Sequence, residues 1–418
     1  MRARLTFCAL LTAAAFVIAL APPGAAAGSA HANMAIQWNR TMLATFAAAS
    51  LPPAAANRMA GVVSAATFDA VNGIQRRFTP IHVQPAADPD SSPQAAAASA
   101  SYTTLVAFFP AQKPALDAAL ATSLASLEDD SGDGSIAKGV EWGDFVGGQI
   151  VAWRSADGFS ATAPPFTFQT TPGFWQPTPG GAGAPKFRTL ATTTPFALTS
   201  PSQFRPAGPP SLDSQRYATD LAEVRAFGRQ DSSVRTATQT QTAVFWQVDT
   251  PPAQWDRVAD GLAQANHLNL IKTARLLALV NIALADSIIA VFEAKNFYNF
   301  WRPVTAIAGA DPSWLPLMVT PYFQEYPSAH SGVSAAAGTV LASFFGERTD
   351  FTVTSAGVPG VERSFTSFTD AENQVADARV WAGFHYRFSC DDGIALGRQV
   401  ATYVESHLML PAEDSGGD

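Results

Sequence analysis

The chain has 418 residues, 47% of them apolar, enough for one sizeable core or two modest ones. Charged residues make up only 14% and the formal net charge is −8. No basic stripe is present to neutralise phosphates, so nucleic acid is excluded as a partner.

Residues 1–27 read as a signal peptide. Arg2 and Arg4 supply the positive start, residues 5–20 the apolar stretch, and Ala25-Ala26-Ala27 the cleavage site, so a secreted or periplasmic location is expected. The apolar stretch is short for a bilayer and runs into Pro22-Pro23, which argues against a retained anchor. No membrane span is expected after cleavage. Cleavage removes Cys8 and leaves Cys390, which reads as a buried structural thiol without a disulfide partner.

A first helical region is expected over 28–159. Apolar residues recur at three- and four-residue steps over 57–74, 100–127 and 136–153, with 85–99 as a loop. The stretch from Asp129 to Gly134 begins like a calcium-binding loop. Its twelfth position is Val140 rather than Glu, so an acidic surface turn is the reading.

The connection 160–212 holds eleven of the thirty prolines plus Gly180-Gly181, so no regular element is expected in it. Phe166, Phe168, Phe174 and Trp175 predict that it packs onto the helices, where it could wall an active site or a subunit interface. From residue 217 the pattern is helical again. The longest candidate is 267–297, and Asp286 and Glu293 interrupt its apolar run, as befits a buried core helix rather than a membrane span. Helices at 331–345, 371–384 and 391–408 complete a second region, 213–410, before a flexible tail, 411–418. The fold class is therefore all-α, a helical bundle with a long irregular proline-rich connection. No cluster of His and Cys has zinc-ligand spacing.

Three short segments carry the chemistry. In Lys295-x6-Arg302-Pro303, seven helical steps turn about 700°, so both cations would share one face if the helix ran through. They either complement the negative end of the helix dipole or converge on an anion. In Pro327-Ser328-Ala329-His330, the serine is a helix cap, and the same geometry aims free N–H groups and a hydroxyl at any anion in front. In Arg379-x5-His385, an unbroken helix would set the pair about 120° apart. Gly383 between them permits a break that would bring both to one ligand.

In this order the three segments resemble the signature of the vanadium-dependent haloperoxidases and the related type 2 phosphatidic acid phosphatases and bacterial acid phosphatases. Residues 299–307 and 393–398 look like the soluble bacterial members. The resemblance implies that Lys295, Arg302 and Arg379 neutralise the oxygens of vanadate or phosphate, while the Ser328 hydroxyl and the Ala329 N–H donate to them. It makes His330 the acid–base histidine. His385 becomes the vanadium ligand, or the nucleophile toward phosphorus. Two activities follow from one such site. In the first, a haloperoxidase, hydrogen peroxide and halide give hypohalous acid for a small organic acceptor, with Lys295 polarising the peroxide. In the second, an acid phosphatase hydrolyses a phosphomonoester through a phosphohistidine. A binding protein for oxyanions is the non-enzymatic rival, and a homodimer is one assembly the resemblance allows.

Three departures from the family pattern stand out. Ala329 replaces a frequent Gly, Ala378 a frequent Ser, and Ser389 a frequent Asp four residues after the histidine. Asp391 and Asp392 are the candidates to replace that carboxylate. His31, His82, His267 and His407 are expected outside the site.

Overall fold

The computed structural model describes residues 33–127 and 134–412, with thirteen α-helices and one short hairpin among them. The signal segment, Cys8, His31, Asp129 to Asp133 and residues 413–418 lie outside the described residues. Five helices precede the connection: α1 (Met34–Ala48), α2 (Pro53–Gln75), α3 (Pro93–Phe108), α4 (Lys113–Ala125) and α5 (Ser135–Ser155). Eight follow it: α6 (Gln215–Phe227), α7 (Ala237–Gln247), α8 (Pro251–Ala265), α9 (Leu270–Tyr298), α10 (Pro303–Ala308), α11 (Ala329–Phe345), α12 (Phe368–Trp381) and α13 (Arg387–His407).

Two boundaries differ from the sequence reading. The loop expected at 85–99 is helical from Pro93 onward, because Ser92 caps α3 by accepting the Ala95 N–H at 3.2 Å and proline suits a first helical position. The single helix expected over 100–127 breaks at Phe109, which Pro110 forces out of the helical region (φ −129°, ψ 59°). The pattern also gave no sign of the antiparallel pair β1 (Phe351–Thr354) and β2 (Glu362–Phe365), whose four-residue strands are too short to show alternation.

Helix α9 is the axis of the molecule. Asn269 caps it by accepting the Lys272 N–H at 3.1 Å, and it is apolar on every side because it packs against α2, α11 and α13 together. By length and composition alone it could cross a membrane, but it is buried in the core. Both of its acids are spoken for. Asp286 accepts the N–H groups of Phe196, Ala197 and Leu198 at 2.6, 2.8 and 3.1 Å. Glu293 accepts from Arg205 Nε at 2.8 Å. Each of these contacts fastens the proline-rich connection to α9.

The connection is not wholly irregular, contrary to expectation. Residues Arg188–Thr192 form a 3₁₀ turn, and Phe174 pairs with Phe300 in an antiparallel bridge. The Trp175 N–H donates to Asn299 O at 2.7 Å and the Trp301 N–H to Gly173 O at 3.0 Å, so the connection holds the chain just past the end of α9. Phe166, Phe168 and Trp175 form one aromatic cluster with Tyr322 of the loop before α11 rather than with a helix, and it is Phe187 that packs edge-on against Phe292 of α9. At the chain's other end Pro411 bridges to Phe78, tying the start of the tail to the turn after α2.

Candidate active site

The site forms where α9, α11 and the α12–α13 turn meet. Close packing of α11 on α13 depends on Gly397, where a Cβ would run into the Gly332 carbonyl. That contact seats the start of α11, and with it Ser328 and His330, against the residues that follow α12.

The two cations of the first motif do not share a helical face, as they would if α9 ran on to Arg302. The helix stops at Tyr298 because Asn299 takes the left-handed conformation (φ 48°), and Pro303 holds Arg302 extended (φ −78°, ψ 153°). The chain doubles back instead, and both side chains are fully buried. Lys295 Nζ donates to the carbonyls of Gln324, Glu325 and Pro327 at 3.0, 2.7 and 2.6 Å. All three ammonium protons are thus engaged, so Lys295 acts on the site through its charge. Arg302 donates from Nε to Phe323 O at 2.8 Å and from Nη1 to Phe384 O at 3.0 Å.

Helix α12 ends at Trp381, and Gly383 (φ +80°) reverses the chain so that His385 returns toward Arg379. The break expected at this glycine is present. Arg379 Nη1 donates to Gln247 Oε1 at 2.7 Å. His385 Nε2 lies 3.2 Å from Arg302 Nη1, and its Nδ1 lies 2.7 Å from Glu325 Oε1. At the start of α11, Ser328 Oγ accepts from the Ser331 hydroxyl at 2.9 Å, leaving its own proton to donate. The N–H groups of Ala329 and His330 belong to the first turn, which has no acceptors within the helix.

Electrostatics describe a site short of negative charge. Lys295, Arg302 and Arg379 are buried together with one carboxylate, Glu325. Burial, then Arg302, drives Lys295 well below its ordinary range. Burial lowers Arg302 to about 10 and Arg379 to about 9. It also lifts Glu325 to about 7, against the pull of Lys295 and Arg302. Both histidines are pushed well below the usual value, first by burial and then by the three cations, so they are neutral at pH 7. Arg302 Nη2, Arg379 Nε and His330 Nε2 are buried without a hydrogen-bond partner. Unpaired buried donors are costly, so the two guanidinium N–H groups are suited to an acceptor such as an anion, while Glu325 Oε2 is an unpartnered acceptor nearby.

A cavity of ≈ 360 Å³ leads to His330. Its walls are largely apolar, with Phe187, Phe292, Tyr322 and Phe323 among them and Gln247 as a polar member. Pro179, Gly180 and Gly181 bring the proline-rich connection into that wall.

Comparisons with known proteins agree with the geometry. Residues 275–413 match the family model of the VCPO second helical-bundle domain. The crystal structure of a bacterial vanadium-dependent iodoperoxidase superposes with a TM-score of 0.78 at 27% identity, covering 90% of this chain and 97% of that one. The chain carries this family's second helical-bundle domain and has the fold of the vanadium haloperoxidases. A holo-type bacterial vanadium-dependent chloroperoxidase shares the superfamily fold, with a TM-score of 0.68 at 18% identity over 85% of this chain and 91% of that one. The vanadium chloroperoxidase of Curvularia inaequalis is 25% identical over 167 residues, 32% of this chain but only 27% of that protein's length.

The superfamily's oxyanion fits the residues present. Three cations, the Ser328 hydroxyl, first-turn N–H groups and the unpartnered Arg302 Nη2 and Arg379 Nε suit a tetrahedral anion, and His385 offers a ring nitrogen beside Arg302. Asp391 and Asp392 do not replace the missing carboxylate. Asp391 pairs with Arg216 at 3.4 Å near the surface, and Asp392 accepts the Tyr326 hydroxyl at 2.6 Å. Glu325, Gln247 and the carbonyls of residues 323–327 were missed in the sequence. The one available signal was an acid between Gln324 and Tyr326 in an otherwise apolar stretch of a weakly charged chain.

Among the described residues, the remaining histidines lie apart from the site. His82 stacks on Trp153, His407 stacks on Tyr403, and His267 follows α8 at φ 51°. Cys390 is buried with its thiol pushed up to about 12 by burial, so it is an inert structural residue.

Proposed function

We propose that the protein is a vanadate-dependent haloperoxidase that oxidises a halide with hydrogen peroxide to hypohalous acid, for use on a small organic acceptor. The observation that carries this reading is the buried excess of cations, with Arg302 Nη2 and Arg379 Nε unpartnered and Arg302 Nη1 3.2 Å from His385 Nε2. The iodoperoxidase likeness over nine-tenths of the chain supports halide oxidation in preference to phosphoester hydrolysis.

Bound vanadate supplies a Lewis-acid centre at which peroxide is activated toward two-electron oxidation of the halide. Lys295, Arg302 and Arg379 offset the anion's charge, and His385 presents the lone pair of Nε2. His330, neutral and without a partner at Nε2, accepts a proton from incoming peroxide and returns it to the departing oxygen. The apolar cavity above His330 admits peroxide, halide and acceptor. Export through residues 1–27 belongs to the same reading.

Vanadium content and peroxide-dependent oxidation of iodide and bromide, measured on one purified preparation, test the proposal. Oxidation that appears on vanadate loading is expected. Fast phosphomonoester turnover with no halide oxidation after loading, between about pH 4 and 8 where histidine titrates, would assign the site to the phosphatases.

A further inference from the structure

We infer that Glu325 is the positioning residue of His385, holding its ring from a segment sixty residues away. The inference rests on reading His385 as the residue that bonds the oxyanion's central atom. A serine is too short and too weakly basic to fix the imidazole, and Ser389 Oγ stands 3.5 Å from His385 Nδ1. Glu325 Oε1 stands 2.7 Å from the same nitrogen and also accepts the Tyr386 N–H at 3.2 Å.

The consequence is a defined tautomer. When Glu325 is ionised its oxygens only accept hydrogen bonds, so Nδ1 carries the ring proton and Nε2 keeps its lone pair. Nε2 is the nitrogen that faces Arg302, 3.2 Å from Nη1, on the side where a ligand atom is needed. Glu325 is itself held rigidly. Its carbonyl accepts from Lys295 Nζ at 2.7 Å and its N–H donates to Phe300 O at 3.0 Å. The segment that seats Lys295 therefore also orients His385, and histidine ligands in general depend on such an acceptor.

The test uses the apo protein first. Nitrogen-15 NMR of labelled histidines should show His385 protonated at Nδ1 in the wild type and in E325Q, whose amide oxygen still accepts. In E325A the two tautomers should mix. Vanadate Kd by calorimetry should rise about tenfold in E325Q and about 10–100-fold in E325A. The double variant E325A/S389D, which places a carboxylate one helical turn after His385 instead, should recover the Nδ1 tautomer and bring Kd to within about tenfold of wild type. An unchanged tautomer in E325A, a wild-type Kd in E325Q, or no recovery in the double variant would each overturn the inference. Because the tautomer is read without vanadate or halide, the expected shifts in a protein that oxidises no halide uphold the role of Glu325 and remove only the functional reading.

Discussion

Arg379 Nη1 and Gln247 Oε1 are 2.7 Å apart, joining α12 to the last residue of α7 at the edge of the cavity. The amide oxygen fixes one arm of the guanidinium while Nε remains without a partner. Replacing Gln247 by Leu removes the acceptor of a charged group. The apo protein should lose about 1.5–3 kcal/mol of stability. Oxyanion binding gives the guanidinium another acceptor, so the deficit should shrink when phosphate or vanadate is present. Thermal unfolding with and without each ion measures both numbers, and an equal deficit in both states would remove Arg379 from contact with the ion.

Arg302→Ala and Arg379→Ala should each weaken binding of phosphate and vanadate alike, by about 1.5–3 kcal/mol where one charge-assisted hydrogen bond is lost. Arg302→Ala should also destabilise the fold more. It strips the Phe323 and Phe384 carbonyls of their donor, whereas Arg379 holds only Gln247. Calorimetric titration of each variant, paired with its melting temperature, separates the two effects.

The helical bundle and the three motifs were legible in the sequence because apolar periodicity and linear spacing report on what is local. The way the motifs converge was not. Helix geometry put Lys295 and Arg302 on one face, yet Asn299 ends α9 and the pair meets through a reversal of the chain. Gly383 could be read as a break because a flexible residue inside a motif is a local signal. Glu325 and Gln247 could not be read, since each acquires its partner across more than fifty residues of sequence. The proline-rich connection showed its aromatic anchors. Its bridge at Phe174 stayed hidden because the matching strand is a single residue, Phe300.

Acid–base linkage gives a stability prediction away from the site. Burial raises Asp260 and Glu372 to about 7, against Arg40 and Arg398 respectively. A folded-state pKa above the unfolded value contributes stability that is full below about pH 4 and is lost as pH rises through 7. D260N and E372Q, which cannot ionise, should each flatten that decline by about 2–4 kcal/mol between pH 4 and 8. His330 and His385 act oppositely. Their lowered values make the folded state lose stability as pH falls below about 6.5. Melting curves across this range should therefore peak at mildly acidic pH in the wild type. A D260N curve parallel to wild type would mean Asp260 does not titrate in the window.

Gly397→Ala tests whether close approach of α11 and α13 builds the site. The added methyl meets the Gly332 carbonyl, a backbone atom that cannot rotate away. Overpacking of this kind costs about 1–3 kcal/mol. Displacing α11 would also move Ser328 and the first-turn N–H groups, so phosphate affinity should fall with stability. Gly148→Ala in α5 is the control. Nothing lies within 4 Å of its Cβ, and the change should stabilise by about 0.5–1 kcal/mol without touching binding.

Phosphate and vanadate should compete for this pocket, with His385 alone telling them apart. Both ions present four oxygens to the same donors: Arg302, Arg379, Ser328 and the first-turn N–H groups. Vanadium readily accepts a fifth ligand, whereas phosphate at rest does not, so only vanadate gains from the lone pair on His385 Nε2. Wild-type protein should bind vanadate more tightly than phosphate, and phosphate should slow vanadate uptake in proportion to its occupancy. His385→Ala deletes the ring nitrogen and leaves the three cations, so phosphate affinity should stay within about tenfold, or about 1.4 kcal/mol. Vanadate affinity should drop to the phosphate value. Competition calorimetry on the two proteins gives all four constants, and a vanadate preference that survives the loss of His385 would place the ligand nitrogen elsewhere.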